Sequence, residues 1–74
     1  MGTIGVASPT AGAVWKIEMA IGQPVGEGEV IMILEAMKME IPVEAPIAGR
    51  LVEILVETGT PVDEDQIVAR IAVD

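Results

Sequence analysis

Histidine and cysteine are both absent from this sequence, so the commonest general base, the commonest metal ligand and the thiolate nucleophile are missing together. The hydroxyls that remain, Thr3, Ser8, Thr10, Thr58 and Thr60, lie beside turns with no base near them. Catalysis usually needs a nucleophile with an adjacent base, or a metal, so a free-standing enzyme finds no support. Amines are scarcer still: Lys16 and Lys38. Lys16 stands in an apolar segment between Trp15 and Ile17. Lys38 stands at a bend between Met37 and Met39, where Asn, Asp or Gly would be usual. One reading makes it an ordinary solvent-facing lysine above core methionines. The other makes Met37-Lys38-Met39 a surface that an enzyme grips, because methionine is adaptable and over-used at binding surfaces.

The elements that must position Lys38 are legible on either side of it. Val30 to Leu34 is an unbroken apolar run, as in a strand buried on both faces, and Ile41 to Ala45 alternates as a second strand. A tight hairpin joins them, with Lys38 at its tip. That hairpin falls at the centre of an internal repeat. Shifted by 37 residues, Pro9-Thr10-Ala11-Gly12 falls on Pro46-Ile47-Ala48-Gly49, and Gly22-Gln23-Pro24-Val25 on Gly59-Thr60-Pro61-Val62. Val30-Ile31 likewise falls on Ile67-Val68, without a gap. Two copies are too few for a solenoid, so one domain over residues 1–74 is expected, its halves 1–37 and 38–74 related by an approximate two-fold.

Each half reads as a long strand (Ala13–Ile21, then Arg50–Glu57), a Gly-x-Pro-Val turn, an acidic patch and a second strand (Val30–Glu35, then Ile67–Val73). Glycine supplies positive φ in such turns and proline presets φ just after them. No helix is predicted. Short strands with frequent turn signals argue for an all-β sandwich or flattened barrel. The two-fold places both termini at one end and Lys38 at the other.

Composition narrows the rest. About half the residues are apolar, with no Phe or Tyr and the single Trp15, so the core must be built from small and branched aliphatics that favour strands. Four cations face twelve carboxylates, a net charge of −8, which leaves no basic patch for nucleic acid or an anionic membrane. No apolar run is long enough to span a bilayer and no signal-peptide pattern is present, so the cytoplasm, or an organelle matrix after processing, is the expected location. Gly26-Glu27-Gly28 lacks the third glycine of a dinucleotide fingerprint. Asp63-Glu64-Asp65 lacks the glycine and terminal glutamate of an EF-hand, and no metal site is expected. Both segments read as solvated turns.

Ala36-Met37-Lys38-Met39 resembles the Ala-Met-Lys-Met signature of biotinyl domains, and the Pro-x-Ala-Gly starts, Gly-x-Pro-Val turns, hairpin and repeat extend the likeness over nearly the whole chain. The resemblance implies a flattened barrel of two four-stranded antiparallel sheets. It implies biotin in amide linkage on Lys38, with Glu35, Ala36, Met37 and Met39 as the recognition motif. It also implies a biotin protein ligase, a biotin carboxylase that loads the carboxyl group using ATP and bicarbonate, and a carboxyltransferase that delivers it. The chain itself would be a non-catalytic carrier, monomeric as an isolated domain. The lipoyl domain of 2-oxo-acid dehydrogenases is similar in repeat and hairpin but typically carries Asp-Lys-Ala where Met37, Lys38 and Met39 stand here. An unmodified interaction module is the third reading. The gapless repeat leaves no room for the "thumb" loop typical of bacterial acetyl-CoA carboxylase carriers, which points to other carboxylases, decarboxylases or a transcarboxylase.

Overall fold

The computed structural model describes residues 2–73, so the two end residues, Met1 and Asp74, lie outside the described part. Eight strands follow one another: β1 Gly2–Ala7, β2 Gly12–Ile17, β3 Pro24–Val25, β4 Val30–Ala36, β5 Met39–Glu44, β6 Gly49–Ile54, β7 Pro61–Val62 and β8 Ile67–Val73. They form two four-stranded antiparallel sheets, ordered β1-β8-β6-β3 and β5-β4-β2-β7. Each sheet takes strands from both halves, so neither half could fold alone.

The repeat survives in the backbone register. Val14 pairs with Leu34 and Leu51 with Ile71, a constant shift of 37 residues, and the same shift carries Ala36↔Met39 onto Val73↔Gly2. Both long strands bulge at equivalent places, at Trp15 in β2 and Val52 in β6. Even the turn chemistry repeats. Gln23 Oε1 accepts the Ala20 N–H as Thr60 Oγ1 accepts the Glu57 N–H, and Glu29 Oε1 accepts the Gly26 N–H as Gln66 Oε1 accepts the Asp63 N–H. The acidic segments Gly26–Gly28 and Asp63–Asp65 are these turns.

The core between the sheets is aliphatic, with Val6, Val14, Ile31, Met32, Leu34, Leu51, Val68 and Ile71 at its centre. Trp15 stands outside it, about half exposed at its bulge. The one buried polar side chain among the described residues is Ser8, whose hydroxyl donates to the Thr10 carbonyl at 2.7 Å.

Three sequence expectations need correction. The long strands end early, at Ile17 and Ile54 instead of Ile21 and Glu57. After Glu18 N–H bonds Ile31 O, the chain leaves the sheet: Met19 tucks into the core while Ile21 stands 61% exposed, and Gly22 turns the chain at φ 96°. The alternation at Ile17, Met19 and Ile21 is therefore not one strand. Second, β1 has no counterpart among the expected strands; its two glycines have low strand propensity, and β8 supplies the pairing that propensity does not. Third, the Pro-Val pairs of the Gly-x-Pro-Val turns are themselves two-residue strands, and β5 begins at Met39, ahead of Ile41.

The molecule is elongated, 37 × 19 × 18 Å. Gly49 packs against the Ala72 backbone and Gly2 pairs with Val73, which defines one end. Gly12 packs against Glu35 and Ala36, which defines the other. Strand β5 starts at the second end, at the Ala36↔Met39 pair, and runs away from it for about 20 Å over its six residues.

Candidate functional site

Met37 and Lys38 alone connect β4 to β5, flanked by the Ala36↔Met39 pair. Both carry positive φ, 51° and 65°, as the two central residues of a type I′ hairpin turn must. Neither is glycine, asparagine or aspartate, so the turn is held in a region that costs an ordinary side chain roughly 1–2 kcal/mol per residue. Strain of this kind persists where the surroundings over-determine it and clusters at functional sites. Here the seven-residue β4 and six-residue β5 enforce it.

The tip is open to solvent on every side. Lys38 is exposed, Met37 is 95% exposed and Met39 61%. The methionines therefore do not fill the core beneath the lysine; they surround it. Lys38 makes no ion pair among the described residues, whereas Lys16 holds Glu18 at 3.4 Å and Arg70 holds Glu53 at 3.3 Å. Lys16 also lies within β2, away from any hairpin.

Glu35 is exposed and Ala36 partly buried, both on the last turnward stretch of β4. Directly across from Glu35 stands Glu40, also exposed. A like-charged pair facing across two strands is mildly destabilising, and it makes the base of the tip acidic. Gly12 supports the same base from below: a Cβ there would stand 2.6 Å from the Glu35 carbonyl oxygen and 3.3 Å from Ala36 Cβ. Sequence reasoning missed both residues. The Pro-x-Ala-Gly repeat carries a signal for Gly12; Glu40 carries none until the register is known.

A primary amine, exposed and unpaired on a two-residue tip, can be reached by an enzyme from any direction and can bear a covalent group clear of the globule. The residues thus fit an acyl-linked prosthetic group. Such a lysine on a two-sheet, pseudo-symmetric scaffold is the arrangement that a lysine-attachment carrier module requires.

Comparison with known proteins agrees. Residues 1–71 match the model of the Biotin_lipoyl family, described as biotin-requiring enzyme. The chain is similar to a biotin-dependent acyl-coenzyme A carboxylase alpha3 subunit of Mycobacterium leprae, at 41% identity over 89% of this chain and 11% of that one. It is similar to the biotin carboxyl carrier protein of acetyl-CoA carboxylase of Pseudomonas aeruginosa, at 43% over 81% of this chain and 36% of that protein. A biotinylated protein TB7.3 homolog of Mycobacterium leprae matches at 33% over 90% of this chain and 94% of its own length. Among solved structures, the urea carboxylase of Kluyveromyces lactis superposes with a TM-score of 0.92 at 33% identity, over 97% of this chain and 6% of that enzyme. The chain thus spans less than half of the carboxylase-related sequences it matches. It belongs to the biotin-requiring family, as a biotin carrier domain.

Proposed function

We propose that Lys38 Nζ holds biotin in amide linkage and that the domain carries it between a biotin carboxylase and a carboxyltransferase. One observation carries this reading: the exposed, unpaired Lys38 on a strained two-residue tip, at the end of the molecule away from Gly2 and Val73. Bound biotin supplies a ureido nitrogen able to hold a carboxyl group; the protein supplies position. The rigid tip holds the attachment point outward. Met37 and Met39 give partner enzymes an adaptable apolar grip, with the acidic Glu35–Glu40 pair behind it.

The expected separation of Met1 and Asp74 from Lys38 falls on residues outside the described part; among the described residues, the Gly2↔Val73 pair is the symmetry mate of the Ala36↔Met39 pair that flanks the tip, so a larger assembly that holds the Gly2–Val73 end leaves the tip free to move. Tethering of this kind gives an effective concentration of about a millimolar at each active site. A single domain suffices for transfer, so it works as a monomer when dilute, in the cytoplasm or an organelle matrix. The acceptor is selected by the carboxyltransferase. The linkers agree with a carrier lacking a thumb, since residues 18–23 and 55–60 are equal in length and join equivalent strands.

Co-expression with a biotin ligase followed by intact-mass measurement tests the assignment. One biotin adduct is expected on the natural protein and none on Lys38→Arg, which keeps the charge without an attackable neutral amine. A lipoyl mass increment, or labelled Lys38→Arg protein, would overturn it.

A further inference from the structure

The two-fold supplies an internal control for each surface, and the two edge strands β1 and β5 differ sharply. Both close one side of a sheet and occupy the same register, with Gly5 at the place of Pro42, Thr3 at that of Glu40 and Ala7 at that of Glu44. Strand β5 thus carries two established protections against edge pairing, proline and charge. Strand β1 carries neither. Among the described residues it is the only strand longer than two residues with no charged side chain, in a chain of net charge −8.

Its open hydrogen-bonding groups can be assigned. Proline is tolerated in a sheet where its nitrogen faces outward from an edge, so the matching Gly5 N–H points away from β8. Thr3 and Ala7 follow by the strand's period of two, and Ser8 N–H, on the opposite parity, donates inward to Gln66 O at 2.8 Å. Apolar side chains flank this edge. Ile67 lies over Gly5 and is 37% exposed, and Ile4 is 38% exposed.

We propose that β1 is a self-association surface, pairing antiparallel with β1 of a second copy of this chain. A second copy supplies a matching uncharged strand by construction, and a two-fold pairing of Gly2–Ala7 with its own copy sets no strand carboxylate against another. The β5 edge would oppose Glu40 and Glu44 to their own copies. The contact is small, well below the ~1,000 Å² of a stable interface, so its dissociation constant is on the order of a millimolar. It leaves a dilute domain monomeric and matters where two carriers are tethered in one assembly at about millimolar effective concentration. Antiparallel pairing directs the two Lys38 tips to opposite ends, so both stay accessible.

Sedimentation equilibrium across two decades of concentration centred on about 1 mM, with amide chemical shifts followed over the same series, tests this. The expected result is a monomer–dimer equilibrium, with shifts concentrated at Thr3, Gly5 and Ala7. Thr3→Glu/Ala7→Glu copies onto β1 the residues that β5 already carries at those exposed positions, so the fold accepts it, and it should weaken the dimer by about tenfold or more. A chain monomeric throughout, shifts centred on Met37 or Trp15, or an unweakened double variant would each overturn the proposal.

Discussion

At one end of the molecule Ala36 pairs with Met39 across Met37 and Lys38; at the other, Val73 pairs with Gly2 in the same register. The backbone frames match residue for residue, and the side chains do not. The row behind the tip reads Glu40, Glu35, Ala13, while its image reads Thr3, Ala72, Arg50. Shared features therefore report on folding, and on the proposed reading the differences report on function. The recurring glycines and aliphatic core fall in the first class. The positive-φ methionine and lysine and the acid pair fall in the second.

Core truncation at mates should show the symmetry at its plainest. Leu34 and Ile71 occupy equivalent places in opposite sheets and are both fully buried. Leu34→Ala and Ile71→Ala should each lose about 2–5 kcal/mol, measured by urea unfolding, and agree with one another within about 1 kcal/mol. Very different losses would mean that the halves share topology without sharing energetics.

A smaller effect separates folding from function. Gly12 and Gly49 both abut backbone carbonyls, of Glu35 and Ala72, so neither site has room for a side chain. Alanine at either should cost roughly 1–3 kcal/mol. Only Gly12→Ala displaces Glu35 and Ala36 at the base of the tip, so only it should also slow labelling by the ligase when both variants are compared fully folded. Equal labelling rates would show that the tip is insensitive to its support.

The same contrast explains what was legible beforehand. The repeat, the β class and the position of Lys38 follow from local signals: periodic apolar residues, Gly and Pro at fixed spacing, and two strands meeting at a bend. Strand β1 was invisible because Gly2 and Gly5 have poor strand propensity; its pairing with β8 is a contact across nearly the whole chain. The ends of β2 and β6 were misplaced because Met19 and Val56 are buried from outside the sheets, mimicking strand alternation. Exposure of Ile21 could not be read either, since apolar character does not say which way a turn points. At the site, Glu35, Met37 and Met39 were legible as neighbours of Lys38 in sequence. Glu40 and Gly12 join them only through register and packing.

The smallest expected effect concerns Met37, where strain and recognition can be pulled apart. Its φ of 51° is unfavourable for an unbranched side chain but acceptable to asparagine, and its side chain is almost wholly in solvent. Met37→Asn should therefore stabilise the domain by up to about 1 kcal/mol, because it relieves the turn and gives up almost no buried area. Met37→Leu keeps both the strain and the apolar surface, so its stability should stay within about 0.5 kcal/mol of the parent. If partner enzymes read the methionine, labelling kinetics should rank the other way: near-parental for Leu and slower for the more stable Asn variant. A polar residue beside Lys38 removes the apolar grip while leaving the amine where it was. Thermal melts and steady-state ligase kinetics on the same preparations decide between the roles. Unchanged kinetics together with a large fall in melting temperature for both variants would place Met37 among the packing residues, with recognition carried elsewhere on the tip.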